Sequence, residues 1–125
     1  LPNIGFAELP AAPAWVGSPC QNDSQCDFQD GSNFGFCYDF VDTTGATQGF
    51  CSLVCEGFCP DRSGTATTFC IGGDVAGVGV CASKSEAAND FCSDIPGTAS
   101  ATADRFIGSS SASASTATVC APDTL

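Results

Sequence analysis

Three cysteines spaced four apart, Cys51, Cys55 and Cys59, come closer to a chemical site than any other residues of this sequence. On a helix they would share one face, where three thiolates could hold zinc or a cluster. Gly57 and the Cys59-Pro60 step break such a helix. The chain has no histidine and no CxxC pair, so neither a metal site nor a cofactor is expected. Its ten cysteines are an even number in a short chain and read as a disulfide framework: Cys20, Cys26, Cys37, Cys51, Cys55, Cys59, Cys70, Cys81, Cys92 and Cys120. Spacing alone leaves the pairing open, because ten cysteines allow about 945 connectivities. Direct Cys51–Cys55 and Cys55–Cys59 links are locally awkward. The three are therefore expected to bond to three different regions, which makes Cys51–Cys70 the hub of the crosslinks.

Other chemistry finds little support. A redox pair would need CxxC and a depressed thiol pKa. Nucleophilic serine or cysteine usually needs a histidine base, and there is neither a histidine nor a GxSxG turn. Two carboxylates can hydrolyse a glycoside, but fourteen acids on a small scaffold read as solvated surface. No catalytic residue is assigned, and the chain is expected not to be an enzyme. Asp27, Asp30 and Asn33 offer hard oxygens around a turn but lack the EF-hand spacing and its terminal Glu. Asn22-Asp23-Ser24 is a glycosylation sequon in a eukaryotic setting only.

Charge sets the partners. Three cations, Arg62, Lys84 and Arg105, face fourteen acids, for a net charge of −11. Such a chain repels phosphate backbones, which argues against nucleic acid as a partner. No apolar run approaches the ~20 residues of a membrane-spanning helix. Disulfide frameworks persist in oxidising compartments, so an extracellular location, secreted or on the cell surface, is expected. The chain starts at Leu1 with no charged and apolar leader, and reads as a mature form whose targeting peptide has gone.

These residues need elements to hold them. Residues 1–19 carry no cysteine, and Pro2, Pro10, Pro13 and Pro19 favour extended backbone. This N-terminal arm holds Ile4, Phe6, Leu9 and Trp15. Either it packs on its own domain with Trp15 in the core, or it docks on a neighbouring subunit by strand addition. Residues 20–125 read as a single stapled domain. Asp30-Gly31-Ser32-Asn33 predicts a hairpin turn, followed by a strand with Phe34, Phe36, Tyr38 and Phe40 on one face. A second strand is expected over Phe50–Val54. Cys59, Cys70, Cys81 and Cys92 recur every eleven residues, the length of a short strand plus a turn. The segment from Ser85 could form a helical turn or two, with Ser85 as cap. Residues 98–119 are rich in Ser, Ala and Thr and read as a strand or a loop; within them the alternating segment Ser109–Val119 reads as a flat strand of the kind that pairs with other chains, a second basis for self-association beside the arm. Asp61 and Arg62 are expected to form a structural clasp. The fold class is thus small, disulfide-rich and mostly β, with irregular loops, little helix and an extended N-terminal arm.

The run GFCSLVCEGFCPDRSGTATTFC, with CAS, NDFC, RFIGSS and TVCAP after it, resembles cysteine-rich modules in secreted proteins of predatory and soil Gram-negative bacteria. Some of those modules stand beside peptidoglycan amidase or peptidase domains. The resemblance spans about Trp15 to Pro122, and CPDRxGxxTTFC is its most specific part. It implies an extracytoplasmic, non-catalytic module, and it carries over no catalytic residue. Two functions follow as expectations. One is a secreted structural protein, a fibre, matrix or surface-layer subunit, whose partner is itself and whose contact is the arm with Ile4, Phe6, Leu9 and Trp15. The alternative is a module that binds cell-wall glycan and targets a peptidoglycan hydrolase, with Trp15, Tyr38 and phenylalanines as a stacking platform.

Overall fold

The computed structural model describes residues 14–73, 77–107 and 110–123, with the backbone alone for residues 110–114. The fold is small, disulfide-rich and mostly β. Among the described residues its helical elements are two 3-10 turns, Asp23–Gln25 and Ala87–Asn89. Nine strands follow one another along the chain: β1 (Gln29–Asp30), β2 (Asn33–Phe34), β3 (Phe36–Val41), β4 (Thr47–Ser52), β5 (Val54–Cys55), β6 (Thr68–Gly72), β7 (Gly79–Ser83), β8 (Thr98–Ile107) and β9 (Ser110–Pro122). They form the hairpins β1–β2, β3–β4 and β8–β9 and a three-stranded sheet ordered β5-β7-β6.

One device is used twice. In the β3–β4 hairpin Cys37 stands directly opposite Cys51. Each bonds back to the segment before the hairpin, Cys20 to Cys37 and Cys26 to Cys51. In the β6–β7 pair Cys70 stands opposite Cys81. Again each bonds back, Cys55 to Cys70 and Cys59 to Cys81. A hairpin is thereby laced through both strands to the chain that precedes it. The eleven-residue steps Cys26–Cys37 and Cys59–Cys70 are the same joint in the two units. Cys92–Cys120 lies outside the pattern and ties the β8–β9 hairpin to the turn before it. The three hub cysteines bond to three separate partners, Cys26, Cys70 and Cys81.

Several expectations shift. The aromatic face is split at Gly35. A Cβ there would lie 2.4 Å from the Cys26 carbonyl oxygen, so the backbone runs too close for a side chain. Phe34 ends β2 and is 67% exposed, whereas Tyr38 is buried and stacks on Phe50 at 5.3 Å. The strand expected at Phe50–Val54 is divided between β4 and β5. Leu53, between them, is buried in the cluster of Trp15, Val16 and Phe106. The segment after Ser85 forms one short helical turn, the 3-10 turn Ala87–Asn89, and its cap is Glu86, not Ser85. Asp90, Phe91 and Cys92 all have positive φ (51°, 50° and 80°), a left-handed run that cannot continue a right-handed helix. Buried Asn89 holds this turn: its amide nitrogen donates to Ser83 Oγ (2.8 Å) and the Lys84 carbonyl (2.7 Å), and its oxygen accepts from the Glu86 N–H (3.1 Å) and the Cys92 N–H (3.2 Å). The Cys81–Cys92 step is therefore not a strand plus a turn like the earlier ones. The Ser/Ala/Thr-rich stretch lies in β8 and β9.

Candidate functional site

The arm root is fixed. The Gly17 N–H donates to the Cys51 carbonyl (2.9 Å), Cys51 N–H donates to the Ser18 carbonyl (2.8 Å), and Cys20 N–H donates to the Gly49 carbonyl (3.0 Å). Residues 17–20 thus run along the outer side of β4, with Pro19 bridged to Phe50. Trp15 turns inward to join Val16, Leu53 and Phe106, with Phe28 at 5.0 Å. It is 7% exposed. This corrects its assignment both to a self-association surface and to a stacking platform, since its faces are covered by its own chain. Tyr38, buried as well, is likewise unavailable to a glycan. Ile4, Phe6 and Leu9 lie outside the described residues.

Asp61 and Arg62 hold two different things. Asp61 Oδ1 accepts from the Thr68 N–H (2.8 Å) and hydroxyl (2.9 Å), closing the loop onto the start of β6. The Arg62 guanidinium lies 4.1 Å over the Trp15 ring and donates to the Ala14 carbonyl (3.2 Å). A cation over an indole face is worth about 0.5–2 kcal/mol. Arg62 therefore clamps the base of the arm.

The thiols are all consumed. Sulfurs of Cys20, Cys26 and Cys37 lie close together, as do those of Cys55, Cys59 and Cys70. Every one sits in an S–S bond, and a disulfide sulfur is not the thiolate that metals require.

Among the described residues two carboxylates titrate away from their usual range, both downwards. Glu86 is lowered by the Thr67 hydroxyl and by the Thr67 backbone N–H. Asp42 is lowered to about 2, first by the Thr44 hydroxyl, then by the Gln48 side chain, with the Ala46 and Thr44 N–H groups adding and desolvation opposing. A general acid at neutral pH needs the opposite shift. These groups organise loops: Asp42 accepts from Thr44 Oγ1 at 2.6 Å, Ala46 N–H at 3.0 Å and Gln48 Nε2 at 3.0 Å, shaping the β3–β4 turn. Because the folded pKa lies below the unfolded value of about 3.9, Asp42 stabilises the fold above pH ~4 and loses that contribution as pH falls towards 2. Asp42→Ala should therefore shrink the gap in urea midpoint between pH 5 and pH 2 relative to the parent protein. An identical pH profile would exclude the role.

The remaining surface feature is the β8–β9 hairpin. β9 contacts β7, with the Ser85 N–H donating to the Thr118 carbonyl, and β8 packs on β6, so both strands lie on the body of the domain. Among the described residues β8 pairs only with β9, and most of its side chains are exposed. Its outer edge is closed at each end, where the Phe106 carbonyl accepts from the Gly57 N–H (2.8 Å) and the Thr98 N–H donates to the Ile95 carbonyl (3.2 Å). The alternation of Ser109–Val119 was visible in the sequence. Which outward groups of β8 lack a backbone partner among the described residues was not, because that depends on Gly57 and Ile95, distant from or outside the strand. Compared with protein-family models, with curated proteins and with solved structures, the chain matches none.

Proposed function

We propose that this protein is a secreted, non-enzymatic structural subunit of an extracellular fibre, matrix or surface layer, and that it associates with its own kind through the N-terminal arm. The observation that carries the reading is the clamped arm root. Arg62, Trp15 and the 17–20 segment fix the root of the arm at Ala14 and Trp15. Residues 1–13 hold Ile4, Phe6 and Leu9 and a single charge, Glu8. An apolar segment joined to a rigid base suits a partner that covers it. The body carries nearly all of the −11 net charge, so copies repel one another at low salt. Screening at physiological salt, with a Debye length of about 8 Å, favours association.

The test compares the full chain with a variant lacking residues 1–13, which keeps Ala14 for Arg62. Sedimentation velocity and negative-stain electron microscopy should show assemblies of the full chain that grow with salt, and dispersed monomers of the truncated one. A full chain that stays monomeric at high concentration in physiological salt sinks the reading.

A further inference from the structure

We infer that the outer edge of β8, from Ser100 to Asp104, receives the segment Asn3–Leu9 of a second copy of this chain as an added strand. The inference rests on the arm-mediated reading above and supplies its missing half, the acceptor.

The edge follows from the backbone pattern. Alternate residues of a strand direct both the N–H and the C=O to the same side. Thr98 and Phe106 use outward groups for Ile95 and Gly57. The even-numbered residues between them, Ser100, Thr102 and Asp104, therefore also point outward. No backbone partner takes those groups among the described residues. An open edge of this kind is a template for another strand unless charge, proline or a bulge blocks it. Ser100–Ala103 carries no charge and no proline; Asp104, at the end of the edge, carries a charge and adjoins the irregularity of the hairpin at Asp104/Arg105.

Beside this edge the surface is hollow. A groove of about 360 Å3 lies between Ile71 and Gly72 of β6 and Ala101, Thr102, Ala103 and Asp104 of β8, and reaches Ala121 of β9. Alanine and glycine leave the space, and a strand added to β8 would place every second side chain next to it.

The arm has matching chemistry. Between Pro2 and Pro10 stand seven residues, Asn3–Leu9, each with an N–H to donate. Ile4 and Phe6 are two apart and so share one face of a strand, available to fill the groove. The first nineteen residues hold one acid in a chain of net charge −11, which makes them the part of a neighbour that meets the least repulsion. Pro10 and Pro13 favour an extended tether of about 3.1 Å per residue.

The test uses complementary defects. Thr102→Pro removes the central outward N–H, a substitution that edge strands tolerate, and leaves the arm intact. Ala101→Phe fills the groove without touching the backbone bonds. Intact mass under non-reducing conditions, with five disulfides formed, confirms that each variant folds. Sedimentation velocity should find assemblies for the full chain, and monomers for Thr102→Pro, for Ala101→Phe and for the variant lacking residues 1–13. An equimolar mixture of the truncated variant and Thr102→Pro should give heterodimers and stop there, since it contains one arm and one edge. If Thr102→Pro and Ala101→Phe both assemble like the full chain, the acceptor is elsewhere while the arm reading stands. If the truncated variant assembles by itself, the arm reading falls with it, and a monomeric full chain overturns both.

Discussion

Reducing the five disulfides should unfold this protein at 25 °C without denaturant. The deepest positions of the core explain why: Cys26, Cys51, Cys70, Cys81 and Cys120 stand among its most completely buried side chains, with Phe50, Leu53 and Val119 as the largest apolar residues of that group. The other large apolar side chains of the core, Trp15, Phe69, Ile71, Val80 and Ile95 among them, are divided between separate clusters. The staples close loops of 15 to 28 residues, each worth about 3–4 kcal/mol by loop entropy. A small domain has only about 5–15 kcal/mol in total. Losing several of them exceeds any reserve, even though nested loops do not add. The lacing sharpens the expectation. In each of the two units both strands of a hairpin are tied to the preceding segment, and that segment has little regular pairing of its own to keep it in place. Amide exchange in a phosphine reductant should therefore lose protection across β3, β4, β6 and β7 together. Removing Cys92 and Cys120 alone, by serine at both positions, should be milder, because that bond lies outside both laced units. A reduced chain that still melts cooperatively would mean that the side-chain core suffices.

The general character of this fold is written in its composition, and its wiring is not. Ten cysteines, scattered phenylalanines and turn residues such as Asp30-Gly31 predict a stapled β domain, and the structure is one. The hub was legible because cysteines four apart cannot easily join one another, so Cys51, Cys55 and Cys59 had to reach outward. Their partners were not legible, since they depend on register: Cys37 meets Cys51, and Cys70 meets Cys81, only once the strands are aligned. The left-handed run at Asp90, Phe91 and Cys92 carries no glycine to announce it. It is held from outside by Asn89 and by the bond from Cys92 to Cys120. Trp15 could be read either way, as anchor or as contact. What decides it is Arg62, forty-seven residues on, whose guanidinium covers the ring. For the candidate site, the arm's apolar residues and the alternating segment Ser109–Val119 were visible, but the part played by β8 was not, because the direction of its backbone groups shows only in the bonds to Gly57 and Ile95.

The other large effect should come from Phe106→Ala. Phe106 is the one large apolar side chain of β8 that is buried, and it enters the cluster of Trp15, Leu53, Cys55 and Cys81. Its ring is accommodated by a glycine. A Cβ on Gly79 would stand 2.4 Å from Phe106 Cδ2 and 2.6 Å from the Cys55 carbonyl oxygen, nearer than real side chains approach. The opposing Cys55–Gly79 pair and the ring thus form one three-way contact that joins the hairpin to the three-stranded sheet. Deleting the ring should cost about 3–5 kcal/mol, and Gly79→Ala about 1–3 kcal/mol by overpacking. The double variant should cost less than the sum. The new methyl then meets one obstacle, the Cys55 carbonyl, where before it met two, and it occupies part of the space that the ring vacates. The loss from Phe106→Ala should also be uneven. Cys120, bonded to Cys92, pins the end of the hairpin where β8 begins. The end carrying Phe106 has the Gly57 bond and the Arg105 guanidinium, which lies 4.7 Å over Phe58 and 4.6 Å over Phe69. Amides from Asp104 to Ile107 should thus exchange sooner than those from Thr98 to Thr102. A uniform rise along β8, or strict additivity with Gly79→Ala, would show that the hairpin is held by its whole length and not by this ring.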